Sequence, residues 1–309
     1  MLETRSVAAL DGNELAIARS VLYASLFDYP LTLGQLRETL LESVQTPSQI
    51  VAAYHRSGAL RSAIEYRDGF FFPEGRHDLV EERRRREARS RAFLQRHRHL
   101  LTLVCAIPYV RMVALSGSIA HLNLEGDGDL DLFIVTRGRR VWSVTVAVVL
   151  LAKLMRRRRS VCANFVVADS RLALEQQDLF TASQIVHLKP LVGPDVLRRL
   201  VAANPFVGRF YPNFHTTEPS AFLIRRTRLA SGLKTAVERL GALPSLAVES
   251  ICRRAYCAYL RRQSSTWRSP EQVRLQDDCV KLHTRSHRQS VLERFDRAVR
   301  DALHTERTG

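Results

Sequence analysis

Residues 115–135 read LSGSIAHLNLEGDGDLDLFIV, and within them Asp129-Leu130-Asp131 runs straight into the apolar stretch Leu132-Phe133-Ile134-Val135. Side chains alternate along an extended chain, so the spacing predicts a strand with Asp129 and Asp131 on one face and Leu130 on the other. Two neighbouring carboxylates repel each other unless a divalent cation sits between them. Ten residues separate Asp129 from the upstream pair Gly117-Ser118, a turn whose backbone N–H groups and hydroxyl suit a phosphate. Acids at a strand edge facing a phosphate-gripping turn are the working parts of phosphoryl or nucleotidyl transfer.

Leu115-Ser116-Gly117-Ser118 followed by Asp129-Leu130-Asp131-Leu132 resembles the signature of the nucleotidyltransferase superfamily, the group with a DNA polymerase β-like palm. That signature is a hydrophobic residue, Gly and Gly or Ser, then a spacer, then Asp-hydrophobic-Asp-hydrophobic. More loosely, the whole chain is similar to bacterial nucleotidyltransferase-domain proteins of unknown substrate, which carry a segment like the Leu26–Thr32 stretch LFDYPLT. The resemblance implies an α+β palm with a mixed sheet and a catalytic centre using Mg²⁺ or Mn²⁺, with an NTP as substrate. It implies Asp129 and Asp131 as metal ligands, and Gly117 and Ser118 at the β- or γ-phosphate. A third carboxylate belongs on the next sheet strand, where SVCANFVVADS places Asn164 in the middle and Asp169 at the end. Asp169 is the expected third catalytic acid if the register allows, and a turn or helix cap if it does not. Lys189, expected in a helical segment, is the corresponding candidate for the triphosphate, set against a plain surface lysine. Asp127, without a hydrophobic residue after it, is expected to stand behind the metal ligands.

The chain has 309 residues and is 46% hydrophobic, enough for two domains or three small ones with real cores. Five scattered cysteines without a CxxC pair point to reduced thiols in the cytoplasm, not to a disulfide framework or a zinc site. The opening MLETRSVAALDGNE lacks an apolar signal core. Trp142 to Met155 is strongly apolar but carries Lys153 and is shorter than the roughly 20 residues of a membrane span, so a buried helix is expected and no membrane partner. The net charge of +16, supplied almost wholly by arginine, points to an anionic partner: nucleotide, nucleic acid or an acidic surface.

Along the chain, four regions are expected: a winged-helix-like domain over 1–76, a connecting helix over 77–106, the palm over 107–215 and a basic helical domain over 216–309. In the first, apolar residues at helical spacing run from Glu14 to Phe27. Thr32 and Thr46 read as N-caps of the next two helices, and Arg67-Asp68-Gly69 as the turn of a hairpin. This domain reads either as a DNA- or RNA-binding module with 49–56 as recognition helix, or as a docking module. Arg56 is the one arginine in that helix, which favours docking. In the last region, Ser245–Gln263, Glu271–Leu282 and Arg288–Leu303 all read as helices.

The histidines lack zinc-ligand context; His283 and His287 miss the glutamate of HExxH, and neither a GxxxxGK[ST] nor a GxGxxG loop occurs. Two functions follow. One is a metal-dependent nucleotidyltransferase moving NMP from an NTP to a hydroxyl or phosphate acceptor. The other is a non-catalytic winged-helix regulator that binds nucleic acid and whose palm senses a nucleotide. The oligomeric state is not encoded in any feature of the chain.

Overall fold

The computed structural model describes residues 10–126, 128–216, 222–224, 228–240, 244–282 and 287–304. Asp127 and His283 lie outside them. Over the described residues the protein is α+β, with a mixed six-stranded sheet and a smaller three-stranded one.

The N-terminal part opens with α1 (Gly12–Ser25), β1 (Leu31–Thr32), α2 (Leu33–Glu38), α3 (Pro47–Arg56) and α4 (Gly58–Ala63). Thr32 and Thr46 cap their helices as expected, each paired with a glutamine in a reciprocal capping box. The hairpin β2 (Ile64–Arg67) and β3 (Phe70–Pro73) turns through Asp68 and Gly69, both at positive φ, and β3 also pairs with β1. Ile17, Leu36, Ile50, Leu60 and Phe71 close a core of their own here.

The long helix α5 (Asp78–Ala106) follows. Its arginine run is not wholly solvated. Arg83 is 5% exposed, stacks 3.6 Å from the Tyr29 ring and donates to the Pro30 carbonyl at 2.9 Å. Arg86 donates to Glu82 and Glu125. These two arginines fasten the long helix to the Phe27–Pro30 bend, so part of the positive charge is spent inside the fold.

The large sheet is built from β4 (Val110–Ser116), β5 (Leu130–Thr136), β6 (Val161–Ala168), β7 (Lys189–Val192), β8 (Val273–Leu275) and β9 (Cys279–Leu282), in the order β7-β4-β5-β6-β9-β8. Only β5 and β6 run parallel; the other neighbours are antiparallel. Helix α6 (Gly117–Ala120) leaves β4, and α7 (Val141–Leu154) crosses from β5 to β6. Helices α8 (Leu179–Val186), α9 (Pro194–Ala202) and α10 (Phe206–Phe210) flank β7. The chain then continues through α11 (Arg228–Leu240), α12 (Pro244–Arg262) and α13 (Arg288–His304).

The expected C-terminal region of helices is corrected at Glu271–Leu282. That segment forms a short 3-10 turn and the β8–β9 hairpin, and β9 pairs with β6 to complete the sheet. Its apolar residues fit a helical period, but an open edge of β6 takes up the backbone groups of residues 279–281 instead. Residues 273–282 therefore belong to the large sheet. Two buried glutamates bind the neighbouring helices to the palm: Glu238 of α11 accepts from the Tyr109 N–H at 2.8 Å, and Glu249 of α12 accepts from the Trp142 and Ser143 N–H groups at the start of α7.

One sheet face is sealed by α5 and α7: Val113, Leu115, Leu130, Leu132 and Ile134 pack with Leu101, Val104, Trp142 and Val148. The opposite face carries Met112, Ala114, Phe133, Val135 and Val167 against Leu197 and Leu200. Alternation puts Asp131 on this second face, next to Phe133, at the N-terminal end of β5, where it is half-buried. No helix among the described residues is long and apolar enough to cross a membrane; α7 spans 14 residues.

Candidate active site

The N-terminal end of β5 meets the C-terminal end of β4, because the two strands are antiparallel and Ser116 pairs with Asp131. The turn that follows Ser116 thus lies against the Asp131 carboxylate. Gly117 adopts φ +62°, and a Cβ on it would stand 2.5 Å from Oδ2 of Asp131. Glycine is needed there for both the left-handed backbone and the space. Gly117 and Ser118 are exposed, and Asp129 is exposed two residues before the half-buried Asp131. Gly117, Ser118, Asp129 and Asp131 are thereby brought to one end of the sheet, as the sequence leads one to expect.

Strand β6 faces this pair from the other side. A bulge in the β5–β6 register between Asp131 and Phe133 lets both Cys162 and Asn164 reach the acids. The Asn164 amide donates to Oδ1 of Asp131, and the Cys162 thiol lies 3.8 Å from Oδ2 of Asp129. Burial, and then the charge of Asp129, push the Asp131 carboxyl up to about 7. Burial and the two aspartates push the Cys162 thiol up to about 12, so it stays protonated. An acid raised towards neutrality by burial and a neighbouring acid is a position where a cation exchanges readily for a proton.

Asp169 is not brought to this end. It follows β6 at the opposite edge of the sheet, where its N–H donates to the Thr136 carbonyl and its side chain accepts from the Gly138 N–H at 2.9 Å. Parallel pairing of β5 and β6 fixes this: Asp131 aligns with Cys162, and Asp169 comes seven residues later in the chain. Asp169 pins the turn at Gly138, and the β6 side chain that touches Asp131 is Asn164.

Lys189 begins the strand β7, not a helix, and pairs with Leu115, two residues before Gly117. Pro190 marks β7 as an edge strand, where a missing N–H is tolerated. Lys189 is close enough to the turn for its charge to lower the pKa values of His121 and His187. A second lysine, which the sequence gave no reason to single out, shares the acidic face. Lys281 of β9 pairs across from Phe165, donates to Gln176 at 2.9 Å and lines a small pocket with Ser116, Phe133 and Arg274.

The two carboxylates offer oxygen ligands, which suit a hard cation that keeps several waters; the Asn164 amide nitrogen donates to Asp131 and the Cys162 thiol stays protonated, so neither adds a ligand. Among the described residues no group of three or more His, Cys, Asp and Glu side chains is arranged to hold a metal ion. Asp129 and Asp131 are the two carboxylates brought together at this end of the sheet. Comparison of the chain with protein-family models, curated proteins and solved structures finds no match in any of the three.

Proposed function

We propose that the protein is a metal-dependent nucleotidyltransferase that moves NMP from an NTP to a hydroxyl acceptor. The observation that carries this reading is the convergence of Gly117, Ser118, Asp129 and Asp131, with Asp131 shifted up to about 7 by burial and its neighbour. Asp129 and Asp131 would hold Mg²⁺ or Mn²⁺, which when bound neutralises phosphate charge and favours loss of the acceptor's proton. Gly117 lets a phosphate approach the backbone, and Ser118 offers a hydroxyl to it. Lys189 supplies a positive charge beside that turn. Asn164 holds one oxygen of Asp131, which fixes the direction of the other.

The N-terminal elements, with the sheet order β1-β3-β2 and four helices, support a winged-helix-like module. Its residues Tyr23 and Leu41 share a core with Leu179, Phe206, Tyr211 and Phe295, which favours docking onto the palm over reading a nucleic acid. The second reading, a nucleotide-sensing regulator without catalysis, draws on Asn164 standing where a third acid is expected.

Incubation with each α-³²P-labelled NTP and Mg²⁺ or Mn²⁺, with RNA, DNA and small-molecule extract as acceptors, separates the two. Metal-dependent label transfer that disappears in Asp129→Ala/Asp131→Ala supports the enzyme. Nucleotide binding with no transfer to any acceptor supports the sensor.

A further inference from the structure

Behind the Gly117–Ser118 turn lies a cavity of about 550 Å³ between the N-terminal module, α8 and α13. That volume is within the range of small-molecule sites, roughly 300–1,000 Å³. Its walls come from parts of the chain far apart in sequence: Tyr23, Phe27 and Tyr29 on one side, His121, Asn123 and His187 on the other. The bend Leu26–Tyr29 contributes four consecutive residues to the lining, so the LFDYP segment is a wall of this cavity.

Three features of the lining define what fits. First, it is aromatic, with the His121 and His187 ring centres 4.0 Å apart at a tilt of 37° and His121 edge-on to Tyr29 at 5.1 Å. Flat rings find faces to pack on there. Second, it holds an unanswered acceptor. Asn123 is 6% exposed; its amide nitrogen donates to the Phe27 carbonyl at 2.8 Å, while its Oδ1 has no partner. A buried carbonyl oxygen without a donor is costly; it has no surface open to the cavity as it stands, so a ligand O–H or N–H meets it once the Asn123 side chain turns towards the cavity it lines. Third, the charges on the wall cancel. Arg86 is engaged by Glu82, Glu125 and Asp28, and Asp28 and Glu125 themselves line the cavity. With Asp28 and Glu125 set against Arg86 and Arg294, the wall holds no excess positive charge for a run of phosphates, which argues against a nucleic-acid strand.

We propose that this cavity binds a small neutral ring compound bearing hydroxyl groups, a nucleoside or a glycoside. If the nucleotidyltransferase reading holds, that compound is the acceptor. Its hydroxyl oxygen bonds to the α-phosphorus of the NTP, the bond from that phosphorus to pyrophosphate breaks with its electron pair, and the hydroxyl proton passes to solvent. Gly117 and Ser118 line the cavity and also border the Asp131 carboxylate, so an acceptor seated there reaches the reacting phosphate past a single turn.

The test is equilibrium dialysis of the full chain with tritiated adenosine and, separately, ¹⁴C-labelled methyl glucoside, with Mg·ATP binding measured in parallel. Saturable binding of one probe at one site per chain is expected, weakened about tenfold or more in Asn123→Leu. It should vanish in Ala24→Trp, which fills the cavity from a partly exposed wall position, with Mg·ATP binding and the thermal melt retained. Absence of saturable binding of both probes to the wild type overturns the proposal, as does binding that survives Ala24→Trp or is displaced by a short oligonucleotide. Probe binding retained in Asp129→Ala/Asp131→Ala, without label transfer by the wild type, supports the cavity while rejecting the enzyme. Transfer onto an oligonucleotide alone, with neither probe bound, supports the enzyme and rejects the cavity.

Discussion

A Cβ on Gly117 would stand 2.5 Å from Oδ2 of Asp131, so these residues, 14 apart in sequence, occupy one space that only glycine leaves free. The positive φ of Gly117 adds a backbone cost of about 1–2 kcal/mol for any L side chain. Gly117→Ala is therefore expected to lower stability by at least that amount in a urea melt. It should also displace the Asp131 carboxylate, with metal-dependent transfer falling below one tenth of wild type. A variant that melts like wild type and transfers normally would show that the turn and the acid are independent.

The carboxyl of Asp131, raised to about 7, sets a pH signature for the metal-free protein. The folded state holds a proton that the unfolded chain releases above pH ~4, so this residue's stabilising contribution falls as pH rises from about 4 to 7 and is level above that. Asp131→Asn removes the titration. The difference in unfolding free energy between wild type and Asp131→Asn, followed from pH 4.5 to 8, should change in that window and flatten when Mg²⁺ is added. A difference that is constant with pH would mean the acid pair is already neutralised by another group.

Asn164 is the place to restore a third carboxylate, because its amide already touches Asp131. Asn164→Asp is expected to tighten Mg²⁺ binding on the order of tenfold, about 1.4 kcal/mol, as read by calorimetry. In the absence of metal the same substitution should destabilise the fold, since a third acid joins two others. Asp169→Asn, at the far end of the sheet, is expected to leave metal affinity unchanged.

What the sequence discloses, and what it conceals, follows from how local each feature is. The caps at Thr32 and Thr46 and the Asp68-Gly69 turn are set by neighbours in the chain, and each is found as read; the strand expected from Asp129 starts one residue later, at Leu130, with Asp129 just before it. The hairpin of β8 and β9 depends on β6, more than a hundred residues earlier, so seven strand residues read equally well as helix. The fate of Asp169 turned on the parallel register and its bulge, which no residue type announces. Lys189 was misplaced on a helix because α8 ends at Val186 and only the edge of β4 draws the next residues into a strand. Asn164 was visible in mid-strand, but that its amide points at Asp131 is a matter of packing. The cavity beside Gly117 could not be read at all, since its walls meet only in the folded chain.

Arg83 ties the long helix to the bend that forms one wall of that cavity. Its guanidinium stacks on Tyr29 and donates to the Pro30 carbonyl, and at 5% exposure it has little water to fall back on. Arg83→Met keeps the stem and removes both contacts, with an expected loss of about 1–3 kcal/mol in thermal or urea unfolding. Arg83→Lys should recover little of this, because an ammonium cannot stack as a flat group. Full rescue by lysine would reduce the role of Arg83 to charge alone.

The paired histidines give the fold a vulnerability to acid. His121 and His187 pack against each other and are half-buried, and loss of water around the rings, with Lys189 nearby, holds both below their ordinary value, His187 at about 4. The folded protein therefore keeps them neutral while the unfolded chain takes up protons below about pH 6.5. As pH falls from 6.5 towards 4 the unfolded state gains, and the stability these residues contribute at neutral pH is lost. For His187 alone the loss at pH 5 is on the order of 2 kcal/mol. His187→Gln cannot titrate, so its unfolding free energy should change less than that of wild type between pH 7.5 and pH 5. Above pH 7 the two proteins should keep a constant difference. Equal acid sensitivity in the two would place the titrating groups elsewhere and would mean that the imidazole pair already finds water in the cavity.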